Sequence, residues 1–552
     1  MKRKNFTIAL MAALILSLIL SGCTGGTKPE TTPKPTEENT KDPTPDQSEE
    51  PEVRGNITVS TYDNNQVPAE EGTYTDNRWT RWMNENGPVD VTFVPIPRHE
   101  SQQKFSTLFA SGDAPDLILE FDNGFRNQLW SQKQLMPLDD LIEEHSTEYK
   151  ALLEKFPELR KLGTKPDGKL YDIGRVIPTQ VLGTVVIRKD WLDKLELKVP
   201  ETIDELFDAA YAFAHEDPDN NGKKDTFGIN MSQNAHYFID GMFGNDMFVI
   251  EDGQLVRPFD RIQPAADFKK KLFENGIVDR DFLTDKNGQK AQQDFASGKL
   301  GIYIAYKTDV KKNYETLKKN DPGAQIIPIA FPVSPFGAFA PDFNPPIQNV
   351  GAVNANAKDP AAVIKYIDFM VKPSTAEYFQ YGEEGVHYMK DANGCPSPID
   401  AEKNKNEINY NVYYKMPIST YVLKECLIDG VSPDSDNAFD QEWISISKKM
   451  DELYLDPNRT MPGFTHAKLR PSLEKELSMT FEDGWNTMHD LMLRAVVSGK
   501  SYTTDQAMKD LIDAWEKSGG KKLEEWYANW YQENKDKWIF MKDLYLMKVN
   551  ED

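Results

Sequence analysis

Between Asn56 and Asn123 the sequence switches repeatedly between the two periods of regular structure. Asn56-Ile57-Thr58-Val59-Ser60-Thr61-Tyr62 alternates β-branched and polar residues, which predicts a strand. A helix over Asn77–Asn86, a strand over Val89–Val94 and a helix over Gln102–Ser111 follow. Gly112 is placed to end that helix, Pro115 forces an extended approach, and Leu117-Ile118-Leu119 reads as a buried strand. Strand, helix, strand, helix, strand predicts a parallel sheet with right-handed crossovers. Two predicted strands end in polar, ringed clusters: Tyr62-Asp63-Asn64-Asn65 and Glu120-Phe121-Asp122-Asn123. In open α/β sheets ligands sit at such strand ends. A plain Asx-rich turn accounts for the first cluster as well.

The start of the chain has a different character. Lys2, Arg3 and Lys4 precede an apolar run from Ile8 to Leu20, which is well short of the roughly 20 residues a membrane-spanning helix needs. This is the plan of a secretory signal, predicted over residues 1–22. Its ending, Leu20-Ser21-Gly22-Cys23, resembles a bacterial lipobox, which implies cleavage before Cys23 and a diacylglycerol on its sulfur, carrying acyl chains such as palmitate. The rest of the chain is then expected on the extracellular face of the plasma membrane, held by its lipid. From Thr24 to Glu52 there is no aromatic and no large aliphatic residue, so residues 23–55 are expected to form a disordered tether.

The remaining bulk of the 552 residues suffices for two or more packed domains. The formal net charge of −24 repels nucleic-acid phosphate and anionic lipid, so nucleic acid is not an expected partner. The same charge mildly disfavours uronate sugars, although local Arg or Lys, Arg188 among them, can reverse that. Of three Cys, Cys395 and Cys426 are left after the anchor, to pair or to stay free. No C-x-x-C or His/Cys cluster points to zinc. No nucleophile elbow, phosphate loop or H-E-x-x-H motif occurs, and nothing singles out a catalytic pair among 88 carboxylates. The chain is therefore not expected to be an enzyme.

A strand and a helix followed by Gly112-Asp113-Ala114-Pro115-Asp116-Leu117-Ile118 resemble the first lobe of extracellular solute-binding proteins for sugars, the receptor subunits of ABC importers. Asp167-Gly168-Lys169-Leu170-Tyr171, Ile187–Leu195, Ala296–Gly301, Asp359-Pro360-Ala361-Ala362 and Tyr381–Tyr388 resemble later stretches of the family in the same order. The resemblance implies a type II periplasmic-binding-protein-like α/β fold of two lobes. Each lobe would be a mostly parallel sheet flanked by helices, with a hinge between them. The expected division is 56–178 and 329–370 for lobe one, 179–328 for lobe two, and a mainly helical 371–552 packing on both. Crossings are expected near Tyr171–Thr179 and Ile326–Phe331. The implied partners are an oligosaccharide and the transmembrane subunits of a permease, and the implied state is a monomer. A sensor lipoprotein serving a membrane kinase and a lipid-anchored glycoside hydrolase are the alternatives.

One constellation carries metal chemistry. A helix opening with the capping box Thr202–Glu205 runs into Asp217-Pro218-Asp219-Asn220-Asn221-Gly222-Lys223-Lys224-Asp225. Oxygen donors at Asp217, Asp219, Asn221 and Asp225, with the Lys223 carbonyl, follow the first nine places of a calcium loop. The twelfth place is Gly228, and Thr226 stands where relatives of the family commonly have Glu, so a weaker, structural calcium site is expected. For sugar contact the candidates are Tyr62, Asp63, Asn64, Glu120, Phe121 and Asp122 from lobe one, Gln180 at the crossing, Tyr306 after a strand, and Tyr237 and Trp485. Their carboxylates and amides suit hydroxyls, and their rings suit the C–H faces of sugars.

Overall fold

The computed structural model describes residues 54–232, 234–391, 394–423 and 437–547. Cys23, the tether through Val53 and Cys426 lie outside the described residues. Cys395 is buried and disulfide-bonded. Among the described residues no helix is long and apolar enough to cross a membrane.

The strands in chain order begin with β1 (Asn56–Asp63), β2 (Asp90–Pro97), β3 (Leu117–Leu119) and β4 (Asp172–Val176). Next come β5 (Gln180–Val181), β6 (Gly183–Arg188), β7 (Phe227–Ile229), β8 (Val249–Glu251), β9 (Gln254–Val256) and β10 (Leu300–Tyr306). The last are β11 (Ile326–Pro328), β12 (Phe343–Asn344), β13 (Ile347–Val353), β14 (Tyr388–Lys390) and β15 (Pro396–Pro398).

The first sheet has the order β2-β1-β3-β13-β4. Its β-α-β-α-β start is parallel as the sequence pattern predicts: β1 pairs in parallel with β2 and with β3. Asn77 caps the first helix with a full capping box, and Gly112 closes the second at φ 78°, a left-handed conformation that glycine adopts without strain. β13 and β4 complete the sheet as antiparallel partners. The second sheet, β11-β6-β10-β7, differs from a mostly parallel one. Only β7 and β10 are parallel; β6 runs against both β10 and β11. β7 and β10 are joined by a long helical crossover, as parallel neighbours require.

The chain leaves the first sheet at Val176 and enters the second at Gly183. It returns later than the expected Ile326–Phe331, because Ile326–Pro328 is itself a strand of the second sheet. The chain re-enters the first sheet only at Ile347. Between the lobes, β5 and β12 pair into a two-stranded ribbon, Gln180 opposite Asn344 and Val181 opposite Phe343. This ribbon is the hinge.

Each lobe has its own core. Ile57, Val59, Leu117 and Val350 anchor the first, and Val185, Phe213, Ile229 and Ile302 the second. The C-terminal helices divide between them. The helix Ala438–Tyr454 packs on the second lobe beside Val186 and Tyr303. Its Tyr454 hydroxyl bonds the backbone of both Val185 and Ile329, at the second lobe's entry and exit strands. The helices Lys475–Val497 and Thr504–Lys517 pack against Ile262 and Ala266 of the second lobe. The tail then turns back, because Ile539, Met541 and Leu544 enter the first lobe's core. Tyr545 meets Phe343 of the hinge ribbon at 4.7 Å.

Beneath the end of the first sheet where β3 runs into Glu120 lies one buried charge network. Asp172, at the start of β4, is 1% exposed. One of its oxygens takes Lys165 Nζ at 2.8 Å, Asn349 Nδ2 at 3.1 Å and an ion pair with Arg126 Nε at 3.3 Å. Arg126 also donates to the Glu120 carbonyl, just after β3. Removing one partner of a buried charge network costs about 3–5 kcal/mol, since the other charges stay buried without it. Asp172→Ala is therefore predicted to lower unfolding stability by that order in urea titration, whereas a loss under about 1 kcal/mol would show that the network bears no such weight.

Candidate functional site

The first wall forms where β1, β2 and β3 end side by side. Arg98 follows the end of β2 and lays its guanidinium 4.2 Å from the Tyr62 ring centre and 5.9 Å from that of Phe121. The Arg175 guanidinium stands 5.5 Å from the Phe121 ring centre. Phe121 thus has two guanidinium groups within cation–π reach. This end of the sheet opens as a groove of about 640 Å³ lined by Arg98, Gln102, Glu120, Phe121 and Asp122.

The sequence-based candidates divide here. Glu120, Phe121 and Asp122 line the groove, while Tyr62 lies beneath it. Tyr62 is 0% exposed and its hydroxyl is bonded to Glu120, itself 1% exposed. Burial, then the Glu120 carboxylate, push the Tyr62 hydroxyl upward in pKa. Tyr62 is sealed by Arg98 above and by Tyr413 edge-on at 5.2 Å, so it supports the wall from below. Asp63 accepts from the Asn65 amide and Asn64 bonds Tyr74, so both shape the turn after β1. Asp122 caps the helix Asn123–Ser131 through the Phe125 amide and accepts from Gln102.

Arg175 links this wall to the hinge. It sits opposite Gln348 in the β4–β13 pair and donates to Gln348 Oε1 at 2.9 Å and to the Met416 carbonyl at 3.3 Å. Lys415 lies beside it and donates to Gln380 Oε1 at 3.5 Å. Burial lowers Arg175 to about 10; burial, then Arg175, lower Lys415 to about 8. Lys468 continues toward the hinge, donating to Asn344 Oδ1 at 2.9 Å. Sequence reasoning missed Arg98, Arg175, Lys415 and Lys468. Arg98 was within reach, because the second parallel strand ends beside it. Lys415 arrives from a distant segment, and no local pattern announces it.

On the second lobe, Tyr306 closes β10 opposite Gly183, which opens β6 beside the hinge. Its hydroxyl accepts from Asn234 Nδ2 at 2.8 Å. Burial, then Asp342, raise its pKa. Gln180 is exposed on the hinge ribbon. Tyr237, on the helix that begins just after Asn234, stacks on Trp485 at 5.9 Å and 20°. Two distant candidates are thereby brought together. Arg188 is elsewhere: it is buried over Trp191 and paired with Asp190 and Asp321.

The candidate calcium loop follows the helix Ile203–His215, whose capping box forms as the sequence predicts. Asp217 and Asn220 take left-handed backbone, at φ 53° and 62°, and Gly222 follows at 78°. Asp217 accepts from the amides of Asn221 and Gly222, so the chain coils around its carboxylate. The Asn221 amide bridges Asp219 at 2.7 Å and Asp225 at 2.9 Å, while Lys299 holds the other Asp225 oxygen at 2.7 Å. Burial, then the neighbouring Asp217, raise the Asp219 pKa. Thr226 turns inward to the Phe213 carbonyl and supplies no donor. Hard oxygen donors gathered in one turn fit Ca²⁺ in kind.

A second cluster consists of His236, Asp240 and His489, the one group of three or more His, Cys, Asp or Glu among the described residues whose ligand atoms lie within 4.8 Å of one another. It already contains a cation. Lys269 Nζ donates to both Asp240 oxygens at 2.8 Å. Burial, then the Lys269 charge, depress His236 to about 3 and His489 well below its ordinary range. The cluster is a buried ion pair with two neutral imidazoles, and the ammonium occupies the place a metal would need.

The chain is similar to known proteins in sequence and in fold. The sequence family described as bacterial extracellular solute-binding protein matches residues 66–377. The polygalacturonan/rhamnogalacturonan-binding protein YtcQ of Bacillus subtilis is 30% identical over 330 residues, 55% of this chain and 62% of its own length. The chain thus spans less than two thirds of that relative. Among solved structures, a human-milk-oligosaccharide (HMO) binding solute-binding protein of Bifidobacterium longum infantis, associated with an ABC transporter, covers 87% of this chain and 99% of its own, at TM-score 0.68 and 17% identity. An EF-hand mutant of the Streptococcus pneumoniae ABC-transporter substrate-binding protein FusA, in complex with fructo-nystose, covers 87% and 99% at TM-score 0.64 and 18% identity.

The Lys415 environment has a measurable consequence. Lys415 titrates at about 8 in the fold and near its ordinary value, about 10.4, in the unfolded chain. Between those values the unfolded chain holds more protons, so raising the pH favours the fold. Relative to Lys415→Met, the wild-type melting temperature is predicted to improve between about pH 8 and about pH 9.5. An unchanged difference between the two proteins would contradict this environment.

Proposed function

Because the chain belongs to the bacterial extracellular solute-binding protein family, we propose that it captures an oligosaccharide between its lobes and delivers it to the membrane subunits of an ABC importer. The observation that carries this reading is where the sheet ends lie. Both β4 of the first sheet and β10 of the second finish beside the β5–β12 hinge ribbon. The Arg98–Phe121–Arg175 wall and the Tyr306–Asn234 wall therefore flank one hinge. Rings and polar groups on two rigid bodies joined by a short ribbon are what hinge closure around a sugar requires. The carbohydrate ligands named for YtcQ and for the two solved relatives support the same substrate class.

The lipobox-like Leu20-Ser21-Gly22-Cys23 supports anchoring by lipid at Cys23, which would keep the receptor beside its permease. Asp217, Asp219, Asn221, Lys223 and Asp225 are the residues that would hold calcium. Bound there, the ion would neutralise converging carboxylates and fix the loop after the Ile203–His215 helix, a structural role. The EF-hand named for the FusA structure supports this part of the reading.

Calorimetric titration with a panel of plant and bacterial oligosaccharides, followed by chromatography of each ligand, tests the receptor role. Binding with the sugar left intact is predicted, with stabilisation of about 2.7 kcal/mol at a hundredfold excess over Kd. Cleavage would make the protein a hydrolase, and no binding to any glycan would remove the sugar reading. Calcium is tested separately: chelator is predicted to lower the melting temperature of wild-type protein and to leave Asp217→Ala unmoved. A wild-type protein indifferent to chelator and free of calcium would end the metal proposal.

A further inference from the structure

Among its 552 residues the chain carries 88 acidic and only 64 basic side chains, yet Arg98, Arg175, Lys415 and Lys468 gather between the Glu100–Asp122 groove and the hinge ribbon. Arg98 and Arg175 both lie within reach of Phe121, and no carboxylate among the described residues lies within ion-pair distance of either. Among the described residues the Arg175 side chain bonds an amide oxygen and a backbone carbonyl, and that of its neighbour Lys415 the Gln380 amide. Lys468 extends the line to the hinge ribbon, where Asp342 partly balances it. Glu120, the buried acid of this wall, is engaged by the Tyr62 hydroxyl and the Asp122 amide.

Two half-buried cations side by side with no counter-ion among the described residues are costly to desolvate, and in so acidic a chain a carboxylate partner would be easy to provide. We infer that the counter-ion comes with the ligand: the structure assigns the row Arg98, Arg175 and Lys415 to the carboxylates of a uronate-containing oligosaccharide. This rests on the oligosaccharide reading above and narrows it. The form of the row favours repeated single charges. Its cations come from separate segments, after β2, on β4 and beyond residue 410, and each has its own neighbours along the wall. Planar guanidinium groups match planar carboxylates bidentately, and Phe121 beside them offers apolar contact to a sugar's C–H face. The depressed Arg175 and Lys415 agree with a site whose negative partner arrives from outside.

The experiment compares oligogalacturonides with the same oligomers fully methyl-esterified, by calorimetry at low and at moderate salt, on wild type, Arg175→Gln and Lys415→Met. The acid form is predicted to bind at least about tenfold tighter than the ester, the difference shrinking with salt. Each variant is predicted to lose about tenfold for the acid and little for the ester, with circular dichroism and melting curves confirming the fold. Equal binding of acid and ester, or equal loss of both in both variants, would overturn the inference while leaving oligosaccharide capture intact. Binding of a neutral fructo-oligosaccharide above either would overturn it in the same way. No binding of any glycan would remove the underlying reading as well.

Discussion

The ligand-facing end of the first lobe depends on a single buried carboxylate. Asp172 draws Lys165, Arg126 and Asn349 to one oxygen, and these come from a loop, a helix and a different strand. Arg126 in turn holds the carbonyl of Glu120, so the residue after β3 is fixed relative to β4. Phe121 follows Glu120, and Arg175 lies on β4 itself. The two groups that face each other across the wall are therefore set by the same ion network. Burial depresses Lys165, so the network is held under desolvation rather than bathed in water. Such an arrangement trades some stability for a fixed geometry.

A net charge of −24 and a local row of cations at Arg98, Arg175 and Lys415 are compatible because local field and net charge act at different ranges. The net negative charge repels anionic lipid and nucleic-acid phosphate at long range. Inside the groove, low-dielectric walls strengthen the local cations, and beyond a Debye length of about 8 Å the outer charge is screened. Composition alone therefore points away from acidic ligands, and local structure reverses the sign. A chain average says little about a concave site lined by a few residues.

Much of the fold was legible because it is local. The strand pattern of Asn56–Tyr62, the stop at Gly112, the capping box at Thr202 and the proline at the start of the Pro360–Val371 helix each follow from neighbouring residues. The mixed second sheet and the late return at Ile347 were not, since antiparallel pairing of β6 with β10 and β11 is decided by tertiary contacts. The tail after Trp538 had no reading in the sequence; its residues Ile539, Met541 and Leu544 fill a core built some four hundred positions earlier. The strand-end rule pointed to the sheet end where the groove opens; Glu120, Phe121 and Asp122 line that groove and Tyr62 is buried beneath Arg98. It passed over Arg98, Arg175 and Lys415, whose meaning comes from mutual proximity and from the carboxylates that are not beside them.

The most direct measurement is a crystal structure of the protein with an intact bound oligosaccharide. The account predicts the sugar between the lobes, touching the Phe121 side of the first and the Tyr306 side of the second, with the lobes closed about the β5–β12 ribbon. A sugar seated instead in the 810 Å³ groove between Ile329 and the Ala438–Tyr454 helix, with the interlobe cleft open and empty, would contradict it.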